Sequence, residues 1–277
     1  MSDVENAGYA GWPGPAGPLD EAGRDVVART IEHVCAAIDA APHDVDPYFH
    51  LRLADVFPAD VYAQMLDCMP EPDYYRRMSG RARAKLKADE RTKLDLFPEW
   101  IRILPPGKRS VWEGVGVALN SAAVRDAFMR RLAPGLERRF GPDHASVGMY
   151  SIPVLTRDVP GYSIGIHPDT RWKAMTVQLY LPRDSSIEHV GTVFHKKDAE
   201  GRFTVATRMP FVPNSGYAFA VGQDTFHSVD TVGPEVNTRD SILLTYFVDR
   251  SLLERAQNRA KRFGNFLFAT ARSLARP

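Results

Sequence analysis

A chain of 277 residues with 44% hydrophobic and 25% charged side chains carries enough apolar material for a buried core. A formal net charge of +1 excludes the strong electrostatic footprint of a nucleic-acid binder, and two cysteines without metal or disulfide spacing exclude a disulfide framework or zinc finger. No apolar run reaches the ~18 residues needed to span a bilayer, and the start lacks the basic-then-apolar pattern of a signal peptide, so a cytoplasmic protein is expected.

Residues 1–19 are rich in Gly, Pro and Ala, which sustain neither helix nor strand, and read as a flexible leader. Asp20 offers an N-cap to a helix reaching Ala40, in which Val26, Val27, Ile31, Val34, Cys35 and Ile38 recur at helical spacing. Residues 48–53 alternate like a strand, and Pro58 opens a second helix with Val61, Met65 and Leu66 inward. The stretch 74–96 is crowded with Arg, Lys, Asp and Glu and reads as a solvated loop and helix surface. Two more helices are predicted over residues 109–119 and 122–140, the latter ending before Gly141-Pro142.

At Ser146 the character changes. Short β-like runs at 147–154, 162–166, 174–181, 203–208, 217–221 and 242–248 are punctuated by Pro, Gly, Asp and Asn, as in an antiparallel barrel or sandwich. Beyond Arg250 a helical stripe returns through Leu252, Leu253, Ala256, Ala260, Phe263, Leu267 and Leu274, with basic residues elsewhere. Such a helix covers its own protein or joins two copies into a homo-oligomer. The expected organisation is a leader, 1–19, and one domain, 20–277, with a mainly helical part at 20–145, a β core at 146–249 and a C-terminal helix at 250–277.

Within the β core, His167 and Asp169 follow the run 162–166 two positions apart. In an extended chain, side chains at i and i+2 share a face, so an imidazole and a carboxylate stand side by side. His227, 60 residues further on, follows a compact apolar strand and a turn; His189 and His195 are rivals in a polar, loop-like stretch. Two His and one carboxylate with open positions is the arrangement used by non-haem Fe(II) oxygenases. Such a site with a dicarboxylate co-substrate needs a cation, and Arg239, twelve residues after His227, heads the apolar strand 242–248 with Ser241 on the same side. Read alone, Arg239 is either a strand-end surface residue or a buried anion clamp. Thr176, Gln178 and Tyr180 alternate with Met175, Val177 and Leu179, which gives one strand a polar face toward water or a cavity.

Taken in order, His167-Pro168-Asp169, residues 213–219 leading to His227-Ser228-Val229, and Arg239-Asp240-Ser241-Ile242 resemble the Fe(II)/2-oxoglutarate-dependent dioxygenases, within them the prolyl-4-hydroxylase-like group. Pro47-Tyr48-Phe49-His50-Leu51 with Val56-Phe57-Pro58 is similar to the opening of that group. The resemblance implies an α+β fold with a double-stranded β-helix (jelly-roll, cupin-like) core, flanked by helices mostly N-terminal to it. It implies Fe(II) held by His167, Asp169 and His227, with 2-oxoglutarate and O2 as co-substrates. Arg239 would bind the far carboxylate of 2-oxoglutarate, assisted by Tyr180, Ser241 and Gln178, and Tyr150 would contact the co-substrate. Where family members often carry a Gly-Gly-Glu-Leu-like run, this chain has Gly191-Thr192-Val193-Phe194.

The resemblance further implies hydroxylation of a C–H bond with release of succinate and CO2; desaturation or cyclisation would use the same residues. Arg171 and Lys173 directly follow the metal motif, and Lys196, Lys197, Arg202 and Arg208 lie in or beside the connection 183–210, which could form a lid. These cations either meet a small polar or anionic metabolite or form a basic, solvated loop. The competing readings are a non-catalytic jelly-roll binding protein and a Zn-dependent hydrolase using the same three ligands, neither of which gives Arg239 and the polar strand face a task.

Overall fold

The computed structural model describes residues 19, 21–77 and 90–249. The expected leader (Leu19 apart), the Asp20 cap, and the C-terminal helix with any contact between copies through it lie outside the described residues. The helices are α1 (Glu21–Ala40), α2 (Ala59–Asp67), the single turn α3 (Pro98–Ile101), α4 (Pro106–Leu119), α5 (Ala122–Arg131) and α6 (Ala133–Phe140). The predicted helix 122–140 is therefore two. It breaks at Leu132, where Pro134 supplies no backbone N–H to the preceding turn and is tolerated only at the start of a new helix.

Twelve strands follow in chain order among the described residues: β1 (His43–Asp44), β2 (His50–Leu53), β3 (Arg76–Arg77), β4 (Arg91–Asp95), β5 (Met149–Asp158) and β6 (Ile164–His167). The rest are β7 (Lys173–Tyr180), β8 (Thr192–Lys197), β9 (Phe203–Met209), β10 (Ser215–Ala220), β11 (His227–Val229) and β12 (Arg239–Val248). They form an eight-stranded sheet in the order β1-β2-β10-β7-β12-β5-β4-β3 and a four-stranded sheet in the order β6-β11-β8-β9. Every pairing is antiparallel. From β5 to β12 the chain passes back and forth between the two sheets, with β8 and β9 consecutive in the small one, so that β5, β12, β7 and β10 face β6, β11, β8 and β9. This is the double-stranded β-helix, and with six helices beside it the fold is α+β as expected.

Alternation along the large sheet sorts its residues into two cores. Leu155, Met175, Val177, Leu179, Ala218, Ile242, Leu244 and Tyr246 face the helices and share one apolar cluster with Val34, Ile38, Trp112, Val115, Phe128 and Leu136. The opposite face looks into the space between the sheets, where Tyr180, Tyr217 and Phe219 meet Phe194, Phe211, Val229 and Tyr162. The polar face of β7 thus turns inward: Thr176, Gln178 and Tyr180 are all buried.

Two sequence expectations are corrected here. The charged stretch 74–96 is not only solvated surface, because it contributes β3 and β4 to the edge of the large sheet. Three of its described cations find partners in the protein: Arg91 meets Asp158, while Arg76 and Lys93 meet Asp95. The connection 183–210 is not a loop-like lid but holds a β-hairpin, β8–β9, which completes the small sheet. Its alternation was masked because Thr192 and His195, both polar, are buried while Lys196 and Lys197 reach solvent.

Gly191 enters β8 at a close approach of two backbones: a Cβ there would stand 1.7 Å from the carbonyl oxygen of Met209. Gly191→Ala is therefore expected to force β8 and β9 apart. Overpacking of this kind costs about 1–3 kcal/mol, which for a protein of this size lowers Tm by about 3–10 °C in a thermal melt.

Candidate metal centre

His167 ends β6 and His227 begins β11, and the two residues are direct partners in the antiparallel β6–β11 pairing. Opposed residues hold their Cβ atoms about 4.5–5.5 Å apart, and here the imidazole centroids are 4.5 Å apart. Asp169 follows His167 as the chain leaves the strand. One ligand atom from each of His167, Asp169 and His227 lies within 4.8 Å of the others.

Both rings are oriented in the same way. His167 Nδ1 lies 2.8 Å from the carbonyl of Gly165, and His227 Nδ1 lies 3.1 Å from the carbonyl of Thr225, in each case two residues back. A carbonyl only accepts, so each Nδ1 carries the proton and donates it, which leaves each Nε2 with a free lone pair. A ring nitrogen engaged by a backbone carbonyl while the other faces the ion is the usual support of a metal-binding histidine. Burial lowers the pKa of His227 to about 4, with nearby Asp169 opposing the shift and His167 adding to it, so the ring is neutral near pH 7.

Burial pushes the Asp169 carboxyl up, but the Lys173 ammonium, His227 and the hydrogen bonds from Lys173 and Thr176 outweigh it. The net effect holds Asp169 well below the usual carboxylate range. Lys173 Nζ donates to Oδ1 at 2.6 Å and Thr176 Oγ1 donates to Oδ2 at 2.6 Å. The cation expected to meet a substrate thus grips a candidate metal ligand instead. Arg171 stays exposed, with its guanidinium 4.6 Å above the Trp172 ring.

Deeper between the sheets lies a continuous array of polar groups. Gln178 Nε2 donates to Ser241 Oγ at 2.9 Å, Ser241 Oγ lies 2.9 Å from Thr156 Oγ1, and Tyr217 OH donates to Gln178 Oε1 at 2.9 Å. Tyr180 OH donates to Thr192 Oγ1 and accepts from Thr192 N, both at 3.0 Å. Burial pushes the Tyr180 and Tyr217 phenols up, which keeps both protonated.

Arg239 closes this array. It is wholly buried rather than at the surface, because its guanidinium has inward partners. Nη1 donates to Asp158 Oδ2 at 2.8 Å and Nε donates to the Val190 carbonyl at 2.7 Å. Asp158 also accepts two bonds from Arg91, at 2.5 and 2.8 Å. Arg91, Asp158 and Arg239 are direct cross-strand partners on β4, β5 and β12, so two cations flank one buried anion. The Tyr162 hydroxyl, buried within electrostatic reach of all three, has no hydrogen-bond partner among the described residues, and burial pushes it up to about 12.

The structure therefore brings Arg239, Tyr180, Ser241 and Gln178 into one interior network. Tyr150 is elsewhere: it opposes Phe247 at the far end of β5 from Asp158, with the two rings stacked at 5.5 Å. Phe247 in turn pairs with Lys173, so Tyr150 belongs to the metal end of the barrel. The rival histidines do not join the cluster. His189 faces Glu235 at 3.2 Å, and His195 lies on the other face of β8 against Ser228 at 2.7 Å. Sequence reasoning missed Asp158, Arg91, Thr156, Thr192, Tyr162 and Tyr217. The only available signal was the alternation of Thr156 and Asp158 along β5, since Arg91 lay hidden in a charged run.

No family model matches the sequence, and no curated protein matches it. Among solved structures, the chain is similar to a Pseudomonas putida prolyl-4-hydroxylase, with 18% identity, 79% of this chain and 99% of that one covered, and a TM-score of 0.46. It is similar to an oxidoreductase of the 2OG-Fe(II) oxygenase family from Burkholderia pseudomallei, with 15% identity, coverage of 78% and 90%, and a TM-score of 0.45. A Trichoplax adhaerens prolyl hydroxylase, solved with a peptide of the hypoxia inducible factor oxygen degradation domain, shows 10% identity, coverage of 89% and 96%, and a TM-score of 0.47.

Removing the anion between two buried cations should be costly. Asp158→Ala is expected to lower the unfolding free energy by about 3–5 kcal/mol in a urea titration, the range for breaking a buried pair. Asp25→Ala, which removes one of the two exposed partners of Arg29, is expected to change it by less than about 1 kcal/mol.

Proposed function

We propose that the chain is an Fe(II)- and 2-oxoglutarate-dependent dioxygenase, with residues 20–277 acting as one oxygenase domain in the cytoplasm. On this reading it hydroxylates a C–H bond of a small polar or anionic metabolite and releases succinate and CO2. One observation carries the reading. Two imidazoles, each held at Nδ1 by a backbone carbonyl, and an ionised carboxylate converge at one end of a jelly roll whose polar interior leads from them to a buried arginine.

The donor set suits the metal. Two nitrogen ligands and one oxygen ligand match Fe(II), and three protein groups leave coordination positions for co-substrates. With 2-oxoglutarate bound, iron would supply the oxidative decarboxylation that activates O2 for C–H hydroxylation. His167, Asp169 and His227 would hold the ion. Arg239 would take the far carboxylate, for which the Arg91–Asp158–Arg239 row leaves one uncompensated positive charge, with Tyr180, Gln178 and Ser241 around it. Thr176, which grips Asp169, and Tyr180, beside Arg239, are four residues apart on β7. That is about 13 Å of strand, a span that an extended five-carbon diacid and an arginine side chain together cover. Tyr48, Phe194 and Phe219 pack beside His227 and keep water from this side of the site.

The substrate would enter at the metal end, past Tyr150, Phe247 and the Arg171–Trp172 pair. Of the cations noted in the sequence, Lys173, Lys196, Arg202 and Arg208 face carboxylates of the protein itself. Lys197 lies over the rings of Phe203 and Phe226. Arg171 is therefore the group best placed to meet an anionic substrate.

Anaerobic addition of Fe(II) and 2-oxoglutarate should produce a visible charge-transfer band. The band is expected to be lost in His167→Ala and Asp169→Ala. Arg239→Lys keeps the charge beside Asp158 but loses the fork, and should weaken 2-oxoglutarate binding about 10- to 150-fold, the worth of one charge-assisted hydrogen bond. Absence of the band in folded, iron-loaded protein would refute the assignment.

A further inference from the structure

Three connections meet where α6 ends. The first runs from His167 into β7 and carries Asp169; the second, from β10 to β11, leads into His227; the third is the end of α6 itself. Gly135 allows the meeting, since a Cβ on it would stand 2.8 Å from the Ala220 Cβ at the end of β10. The helix therefore lies directly against that strand and delivers Arg139, in its last turn, between the other two connections.

Three hydrogen bonds of Arg139 go to backbone carbonyls on other segments of the chain. Nη2 donates to the Arg171 carbonyl at 2.6 Å, and Nη1 donates to the Val221 carbonyl at 2.7 Å and to the Lys173 carbonyl. One planar guanidinium thus binds backbone acceptors on both ligand-bearing connections. A fixed fork of donors is what such a bridge requires, and an ammonium offers only a point charge.

Each acceptor starts a short path to a metal ligand. On one side, the Lys173 backbone is held by Arg139 while its side chain holds Asp169 Oδ1. On the other, Val221 leads into a turn in which Thr225 Oγ1 accepts from Gly222 N at 3.1 Å and donates to the Gly222 carbonyl at 3.0 Å. The carbonyl of that same Thr225 receives His227 Nδ1. Asp169 and His227 are thereby tied to one side chain, each through a buried or half-buried intermediary.

We propose that Arg139 is a positioning residue of the metal centre, holding the Asp169 and His227 connections in register so that both ligands face one point. The proposal rests on the reading that His167, Asp169 and His227 bind a divalent ion. An arginine that merely capped a helix would support the fold without any bearing on the ion, and the two roles separate in experiment.

Mn(II) alone is the probe, titrated into full-length protein and followed by the loss of its free-ion EPR signal. This readout needs no turnover, and Tm of the metal-free protein is measured alongside. If the unaltered protein takes up no Mn(II), the underlying metal reading fails. If it binds, Arg139→Gln is expected to raise the Kd about 10- to 100-fold, the usual effect of removing a group that orients a ligand. Arg139→Lys should fall between the two, and provides the comparison if the glutamine variant does not fold. Arg138→Gln, which loses only the exposed pair with Asp224, should change the Kd less than about threefold. Loss of Tm in the Arg139 variants with an unchanged Mn(II) Kd would overturn the proposal and leave Arg139 a structural cap.

Discussion

The pairing of His167 with His227 across β6 and β11 is the constraint on which the site depends. The two residues are 60 apart in the chain, and four strands intervene while the chain passes through both sheets. Once the antiparallel register is set, their side chains must project to the same side at adjacent positions. A slip of β11 by one residue would turn His227 away from the interior and put Ser228 in its place opposite His167. Asp169 needs no comparable long-range contact, because it follows its histidine by two residues. The difficult part of assembling three ligands therefore falls to the topology of the jelly roll.

The inner face of the large sheet obeys a second constraint. Polar side chains taken out of water must find partners there. Thr156, Gln178, Thr192, Tyr180, Tyr217 and Ser241 satisfy one another in a chain of hydrogen bonds. The charges obey a stricter version of the same rule. A lone buried arginine would be prohibitive, and Arg239 is tolerable because Asp158 stands opposite it. Arg91 then overshoots neutrality, so the row carries one positive charge into a closed space. Residual charge of this kind is an unfavourable arrangement for stability alone and a favourable one for receiving a carboxylate.

Much of this was legible in the sequence where the signal is local. The spacing of His167 and Asp169, the alternation in residues 175–180 and the polar pair Arg239 and Ser241 all survive as features of single strands. What escaped was information held by strand pairing. β11 has three residues and β8 alternates between buried polar and apolar groups, so neither shows an ordinary strand pattern. Arg91 looked solvated because nothing within its own segment reveals Asp158, 67 residues away. Lys173 looked free for a substrate, though a lysine four positions after a carboxylate can fold back on it. Tyr150 was placed with the co-substrate from chain order alone; the β5–β12 register sets it at the opposite end of β5 from Asp158, on the metal side.

The support given to each ligand also bears on what kind of metal centre this is. A structural site recruits its ligands on binding: the protein closes four of them around the ion, and without it the groups repel or stay solvated. Here each ligand already has a partner from the protein. His167 and His227 donate to carbonyls of their own segments, and Asp169 is bonded through both oxygens to Lys173 and Thr176. The desolvation of Asp169 is offset by the neighbouring Lys173 ammonium, by His227 and by the hydrogen bonds from Lys173 and Thr176. The jelly roll and its helical layer are held by apolar burial on both faces of the large sheet. The arrangement of the three candidate ligands is thus set by the protein's own hydrogen bonds, the kind of support that a site exchanging its ion requires and a folding staple does not.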